Sequence, residues 1–267
     1  MKTKFNIGIY AQNKVDYINK MVVNPLKYAL FPKDNAVSSS IINGWQYEPY
    51  LFSFLEKNLI ETYGKDIVDV GANNGNFAVD FSHLVGDEGK VHSFEPQRII
   101  YYQLCGNVFM NGIDNVYCYN NAVGDKHENV KIEKPNYHND GLVNFGDVKV
   151  SDSLEDNFEY VKSTTLDSFD FKDIVFIKID VQGYEPNVLR GAVETIKKHR
   201  PYLFVEFEEH LLVKNNSSED LLKKQIEDMG YIVKRFQDGI PYQTESGECL
   251  DCVCIPIEKE SLNHIIP

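Results

Sequence analysis

The chain has 267 residues, 43% hydrophobic and 12% aromatic, which suits one large α/β core and excludes a disordered or fibrous chain. Its 27 Lys and Arg against 40 Asp and Glu leave a formal charge of −13, so a long phosphate backbone is disfavoured as the main partner. No window approaches the roughly 18 consecutive apolar residues of a membrane helix, and MKTKFNIGIYAQNK at the start has neither the apolar segment nor the cleavage site of a secretory leader.

Residues 1–60 have irregular apolar spacing and loop signals at Asn24-Pro25, Phe31-Pro32-Lys33-Asp34 and Asn43-Gly44. Tyr50, Leu51, Phe54, Leu55 and Leu59 predict a helix from about Glu48 to Glu61. This region reads as an N-terminal cap and substrate segment on a domain spanning 61–267. There the rhythm changes. Asp66–Val70 is a β-branched run typical of a strand buried on both faces, followed by a turn, Gly71-Ala72-Asn73-Asn74-Gly75-Asn76, and a helix from Phe77 to about Leu84. Lys90–Phe94 predicts a second strand, Gln97–Met110 a helix and Val116–Tyr119 a third strand.

Between about 126 and 165 the alternation breaks into a polar insertion, with a loop at Lys134–Gly141 and a short strand within Asn144–Ser151. Ile174–Ile179 resumes the pattern, and Pro186 opens a helix to His199 with Val188, Leu189, Ala192, Val193 and Ile196 as its buried stripe. Tyr202–Phe207 is a fifth strand. A helix at Ser218–Met229 and strands near Tyr231–Phe236 and Cys252–Ile257 finish the chain. The fold class is α/β: a doubly wound, mostly parallel, seven-stranded sheet with an antiparallel edge hairpin. Of the five cysteines, Cys249, Cys252 and Cys254 sit in CLDCVC, but four zinc ligands cannot be assembled, so they read as buried reduced thiols of a cytoplasmic protein. Asp167 reads as a cap or turn residue, and His199 as a structural helix end.

Open parallel sheets bind ligands beyond the carboxyl ends of their strands. At those ends stand Asp69, Glu95, Asn121, Asp180 and Glu206. Small residues after the first strand allow close backbone approach, and an acid ending the second can accept both hydroxyls of a ribose, as for NAD, FAD or S-adenosylmethionine. The turn is GxxxG rather than GxGxxG, and Asp69 suits the ammonium of an amino-acid tail better than a pyrophosphate. That favours S-adenosylmethionine.

Asp69-Val70-Gly71-Ala72-Asn73-Asn74-Gly75, Phe94-Glu95-Pro96, Asn121-Ala122-Val123-Gly124-Asp125, Thr165-Leu166-Asp167 and Lys178-Ile179-Asp180-Val181-Gln182-Gly183-Tyr184-Glu185 follow one another as in FkbM-type methyltransferases, which the chain resembles over about 34–207. The resemblance implies a Rossmann-like class I methyltransferase fold and O-methylation of a hydroxyl on a sugar or sugar-bearing metabolite. It places Gly71, Asn73, Gly75 and Asn76 around the methionine part of the cofactor, Glu95 at the ribose, Asn121 and Ala122 at the adenine and Asp180 near the methyl group. Trp45, Tyr47 and Glu48 resemble the family's N-terminal segment and are candidates for the acceptor side, with His138 in the insertion. One departure is visible: Gln182 stands where the family usually has Glu.

Methyl transfer to a hydroxyl requires alignment and proton removal. The candidates are Asp180, Glu206 and His210, the two carboxylates orienting the hydroxyl. A Mg²⁺ ion bridging Asp180 and Glu206 is a second possibility. The rival functions are ribose 2′-O-methylation of RNA and a non-catalytic binding module on the same fold. The former commonly uses a Lys-Asp-Lys-Glu set, and no lysine stands suitably between Asp180 and Glu206 except on the helix.

Overall fold

β-Branched runs bounded by glycine turns form the strands of this chain, and stretches with apolar residues three or four apart form its helices. The computed structural model describes residues 7–12, 26–57, 60–138, 141–146, 148, 150, 156–235 and 251–262. Two strands, β1 (Gly8–Gln12) and β2 (Leu26–Leu30), and two helices, α1 (Val37–Ile42) and α2 (Pro49–Lys57), come first. β3 (Asp66–Val70), α3 (Asn76–Val85), β4 (Lys90–Phe94), α4 (Arg98–Met110) and β5 (Val116–Tyr119) then alternate. The strands β6 (Ala122–Val123), β7 (Asn129–Glu133) and β8 (Phe158–Thr164) precede β9 (Ile174–Ile179). Next come α5 (Glu185–Arg190), α6 (Val193–His199), β10 (Tyr202–Glu206) and α7 (Glu209–Lys214). α8 (Glu219–Asp228), β11 (Tyr231–Arg235) and β12 (Asp251–Pro256) complete the fold.

Seven strands form one sheet in the order β11-β12-β10-β9-β3-β4-β5. Its core is parallel, and β12 runs antiparallel between β10 and β11. The doubly wound sheet and its terminal hairpin are as expected; the later hairpin strand is the inner one. The chain builds outward from β3 to β5 and then returns to β9 on the other side, so strand order reverses between β3 and β9. A ligand crevice belongs there.

Strand alternation divides the core. Val68, Val70, Ile177, Ile179, Leu203 and Val205 pack beneath α5 and α8, while Ile67, Phe176 and Phe204 meet Phe77 and Phe81 of α3 and Leu51 and Phe54 of α2. α2 is thus part of the same core. β2 lies on α4, stitched by amides four residues apart. Ala29 N donates to Asn107 Oδ1 at 2.7 Å, Gln103 Nε2 donates to Ala29 O at 2.7 Å, and Lys27 N donates to Asn111 Oδ1 at 2.8 Å.

Three local features differ from expectation. The insertion supplies β7 and β8 to a three-stranded sheet with β6, in the order β6-β8-β7, closed over Val130, Ile132, Val148, Val150 and Val161. Its alternation is apolar on one side only, which resembles a polar loop in sequence. Val150 joins it through a bridge to Ile132, while Asn139, Asp140, Asp147, Lys149 and Ser151 lie outside the described residues, as do Phe236 and Cys249. The helix predicted to run to His199 breaks at Gly191, where a Cβ would lie 1.9 Å from Gly124 O. Asp167 caps the second piece across space, accepting from Glu194 N at 3.1 Å and Thr195 N at 2.8 Å. α7 was not expected at all, and it carries His210.

Cys252 and Cys254 are buried free thiols in β12, and Cys105 and Cys118 are half-buried. No helix among the described residues is long and apolar enough to cross a membrane.

Candidate active site

The face of the sheet under α2 and α3 turns polar at its carboxyl edge. Alternation carries it from Ile67 to Asp69, from Phe176 through Lys178 to Asp180, and from Phe204 to Glu206. The registers set Asp69 beside Lys178, and Glu206 beside Asp251. Lys178 is only 2% exposed; its Nζ donates to Asp180 Oδ2 at 2.9 Å and lies 5.0 Å from the centre of the Phe77 ring. Tyr50 donates its hydroxyl to Asp251. Glu48 is buried, with one carboxylate oxygen that has no hydrogen-bond partner.

One ammonium therefore serves several acids. Burial works against the charge of Lys178, but Asp180, Glu48 and Asp69 outweigh it and hold the ammonium above the ordinary lysine range. Burial pushes Asp69 up to about 6, Lys178 opposing and Asp180 adding to the rise. Burial raises Asp251 to about 6 as well, against the hydrogen bond from Tyr50. Glu206 rises well above the carboxylate range through burial and then through Asp180, Glu185, Asp251 and Glu208. Both oxygens of Asp69 are buried without a hydrogen-bond partner. A buried carboxylate left so is costly unless a donor arrives.

The turn after β3 is shaped by close approach. Gly71 has φ +85°, and a Cβ there would lie 1.8 Å from Asp180 O. Gly71→Ala is accordingly expected to cost about 3 kcal/mol or more of stability, read by denaturant unfolding. Asn73 is also left-handed, at φ +49°, and so turns its N–H to Glu95 Oε2 at 2.9 Å. Gln97 N donates to Glu95 Oε1 at 2.8 Å. Burial pushes the Glu95 carboxyl up to about 8 in spite of these two donors, with Asp69 and Asp180 adding to the rise.

A single cavity of about 240 Å³ runs along this edge. Gly71, Asn73, Asn76 and Glu95 line it, with Asn121 and Ala122, just after β5, towards one end. Asp180, Glu206, Tyr47 and His210 line the other end. His210 is at the mouth, its side chain 61% exposed and its Nδ1 3.0 Å from Glu208 Oε1. Asp69 and Glu48 are buried off the cavity wall, and Gly75 caps α3 against Leu104. Trp45 is 64% exposed and off the cavity. His138 lines a separate cavity beside Arg98 and Lys134.

Lys178, Gln182, Asp251 and Gln97 were not anticipated. A lysine inside the apolar run IVFIKI was a legible signal, because an unpaired charge does not stay in such a strand. The Mg²⁺ expectation is not supported. The ammonium of Lys178 stands against Asp180, and among the described residues no group of three or more His, Cys, Asp or Glu is placed to hold a metal ion.

A family model described as Methyltransferase FkbM domain matches residues 69–233. No curated protein matches the chain. Among solved structures, methyltransferase FkbM from Methylobacillus flagellatus is 18% identical with a TM-score of 0.44; the match covers 71% of this chain and 42% of that one. This chain thus spans less than half the length of that relative. A SAM-dependent O-methyltransferase from Thermotoga maritima is 13% identical, TM-score 0.47, covering 86% of this chain and 73% of that one. A methyltransferase from Streptococcus mutans in complex with SAH is 14% identical, TM-score 0.47, covering 78% and 98%.

Proposed function

The chain belongs to the FkbM methyltransferase family, and from that premise we propose that it transfers a methyl group from S-adenosylmethionine to a hydroxyl of a sugar or sugar-bearing metabolite. The observation that carries this reading is the edge itself: a glycine turn and an acid placed for a ribose along one cavity that ends in Asp180 and Glu206.

The residues fit the cofactor's chemistry. Glu95, fixed by two backbone N–H groups, lines the cavity and keeps lone pairs for the two ribose hydroxyls. Bound there, S-adenosylmethionine supplies an electrophilic methyl group. Asp180, oriented by Lys178, accepts the hydrogen of an acceptor hydroxyl, and Glu206 holds the same group from the neighbouring strand end. Alignment by these two side chains is the larger contribution, worth ~7–11 kcal/mol where it is good.

Lys178 gives the rival RNA ribose reading one of the residues it needs, but Glu206, Glu208 and Asp251 make the acceptor end acidic. Among the described residues no Lys or Arg other than the buried Lys178 lines the cavity, so that end offers a phosphate backbone no counter-charge and admits a neutral sugar. Four free thiols among the described residues suit the proposed cytoplasmic setting.

The test has two arms. Calorimetric titration with S-adenosylmethionine should give saturable binding that tightens from pH 6 to pH 8, because the Glu95 carboxyl, raised to about 8, ionises over that range. Glu95→Gln should weaken binding tenfold or more and flatten the pH dependence. No heat at all would leave a non-catalytic scaffold. In the second arm, methyl-labelled cofactor is offered neutral glycans and RNA side by side, and label is expected in the glycan fraction.

A further inference from the structure

The turn that follows β9 holds a residue in a costly conformation. Gln182 has φ +57° and is followed by Gly183 at φ +91°, a pair that reverses the chain and aims the Gln182 side chain into the cavity. The surroundings fix this geometry. Glu185 Oε1 accepts from both Val181 N and Gly183 N at 3.1 Å, and Gly183 lies so close to α7 that a Cβ would meet Leu211 O at 2.5 Å. From there Gln182 Nε2 reaches two carboxylates on neighbouring strand ends, Glu206 Oε2 at 3.3 Å and Asp180 Oδ1 at 3.5 Å.

An amide nitrogen has two N–H donors, one for each acid, whereas a glutamate in its place has only acceptors when ionised. Asp180 is then held from both sides, by the Lys178 ammonium on Oδ2 and by the Gln182 amide on Oδ1. We propose that Gln182 is a positioning residue whose amide ties Asp180 to Glu206, in the place where a divalent cation would otherwise bridge the two carboxylates. The inference takes these acids as the acceptor end, as in the proposed function, but its test uses neither cofactor nor acceptor. Gln182 thus lets this chain assemble its pair of acids with nitrogen donors alone.

Mn²⁺ is the probe, since it favours oxygen ligands in octahedral sites and is read directly by electron paramagnetic resonance. Wild-type protein should bind Mn²⁺ no more tightly than Glu206→Gln does. Gln182→Glu replaces the donor by a third carboxylate and should gain a Mn²⁺ site at least tenfold tighter than any in wild type, lost again when Glu206→Gln is added. Gln182→Met removes the bridge without adding charge and should gain a weaker site, which keeps the proposal testable if the first variant does not fold. Wild-type Mn²⁺ binding abolished by Glu206→Gln would overturn the proposal, as would two folded variants that bind Mn²⁺ no better than wild type. Loss of cofactor binding in the separate calorimetric test would instead remove the methyltransferase reading and leave this one standing.

Discussion

Asp180→Asn is expected to lower methyl transfer by about 10²–10⁴-fold while leaving S-adenosylmethionine affinity within a few-fold of wild type. The substitution keeps the side chain's shape, and its remaining oxygen still accepts from Lys178 in a turn whose tight contact is with Asp180's backbone oxygen, not its side chain. What is lost is the negative charge at the cavity's acceptor end, together with the oxygen that accepts from Gln182 Nε2. Asn is the informative variant because Asp180→Ala would also strip a 2%-exposed ammonium of its hydrogen-bond partner and mix a stability defect with the chemical one. The measurement is the initial rate of S-adenosylhomocysteine release with an accepted glycan, beside calorimetric cofactor binding. A variant that turns over at near the wild-type rate would take Asp180 out of the mechanism.

That this edge exists was legible because the central strands announce themselves. Asp66–Val70, Lys90–Phe94 and Ile174–Ile179 are short runs buried on both sides, Val116–Tyr119 is a half-exposed edge strand, and all four form over the residues the pattern predicts. Period-two alternation from Phe176 and Phe204 puts Lys178, Asp180 and Glu206 on one face. Other features depend on partners remote in sequence. Asp251 joins the acids because β12 slots antiparallel beside β10, an arrangement that no local pattern encodes. Gly191 breaks a helix because a distant loop presses on it, and Gln182 matters because the fold brings Glu206 to its amide. The strands of the insertion were missed because half-exposed alternation in a polar stretch gives a weak signal.

Lys178→Met should bring out the electrostatic role of that lysine as a pH-dependent loss of stability. The ammonium is the positive charge shared by Asp180, Glu48 and Asp69, and methionine fills similar space without it. At pH 8 the unshielded acids should destabilise the fold by about 3–5 kcal/mol, the usual range for breaking a buried pair. The deficit should shrink toward pH 5. Asp69 already titrates near 6 in the folded protein, with Lys178 pulling it down, so removing the lysine raises it further. Between the ordinary carboxylate range near 4 and that raised value, the folded chain holds a proton which the unfolded chain has released. Stability therefore falls as pH rises through the window, and more steeply in the variant than in wild type. Urea unfolding at pH 5, 6.5 and 8 measures the effect, and a deficit independent of pH would mean that Lys178 acts by packing against Phe77 rather than by its charge.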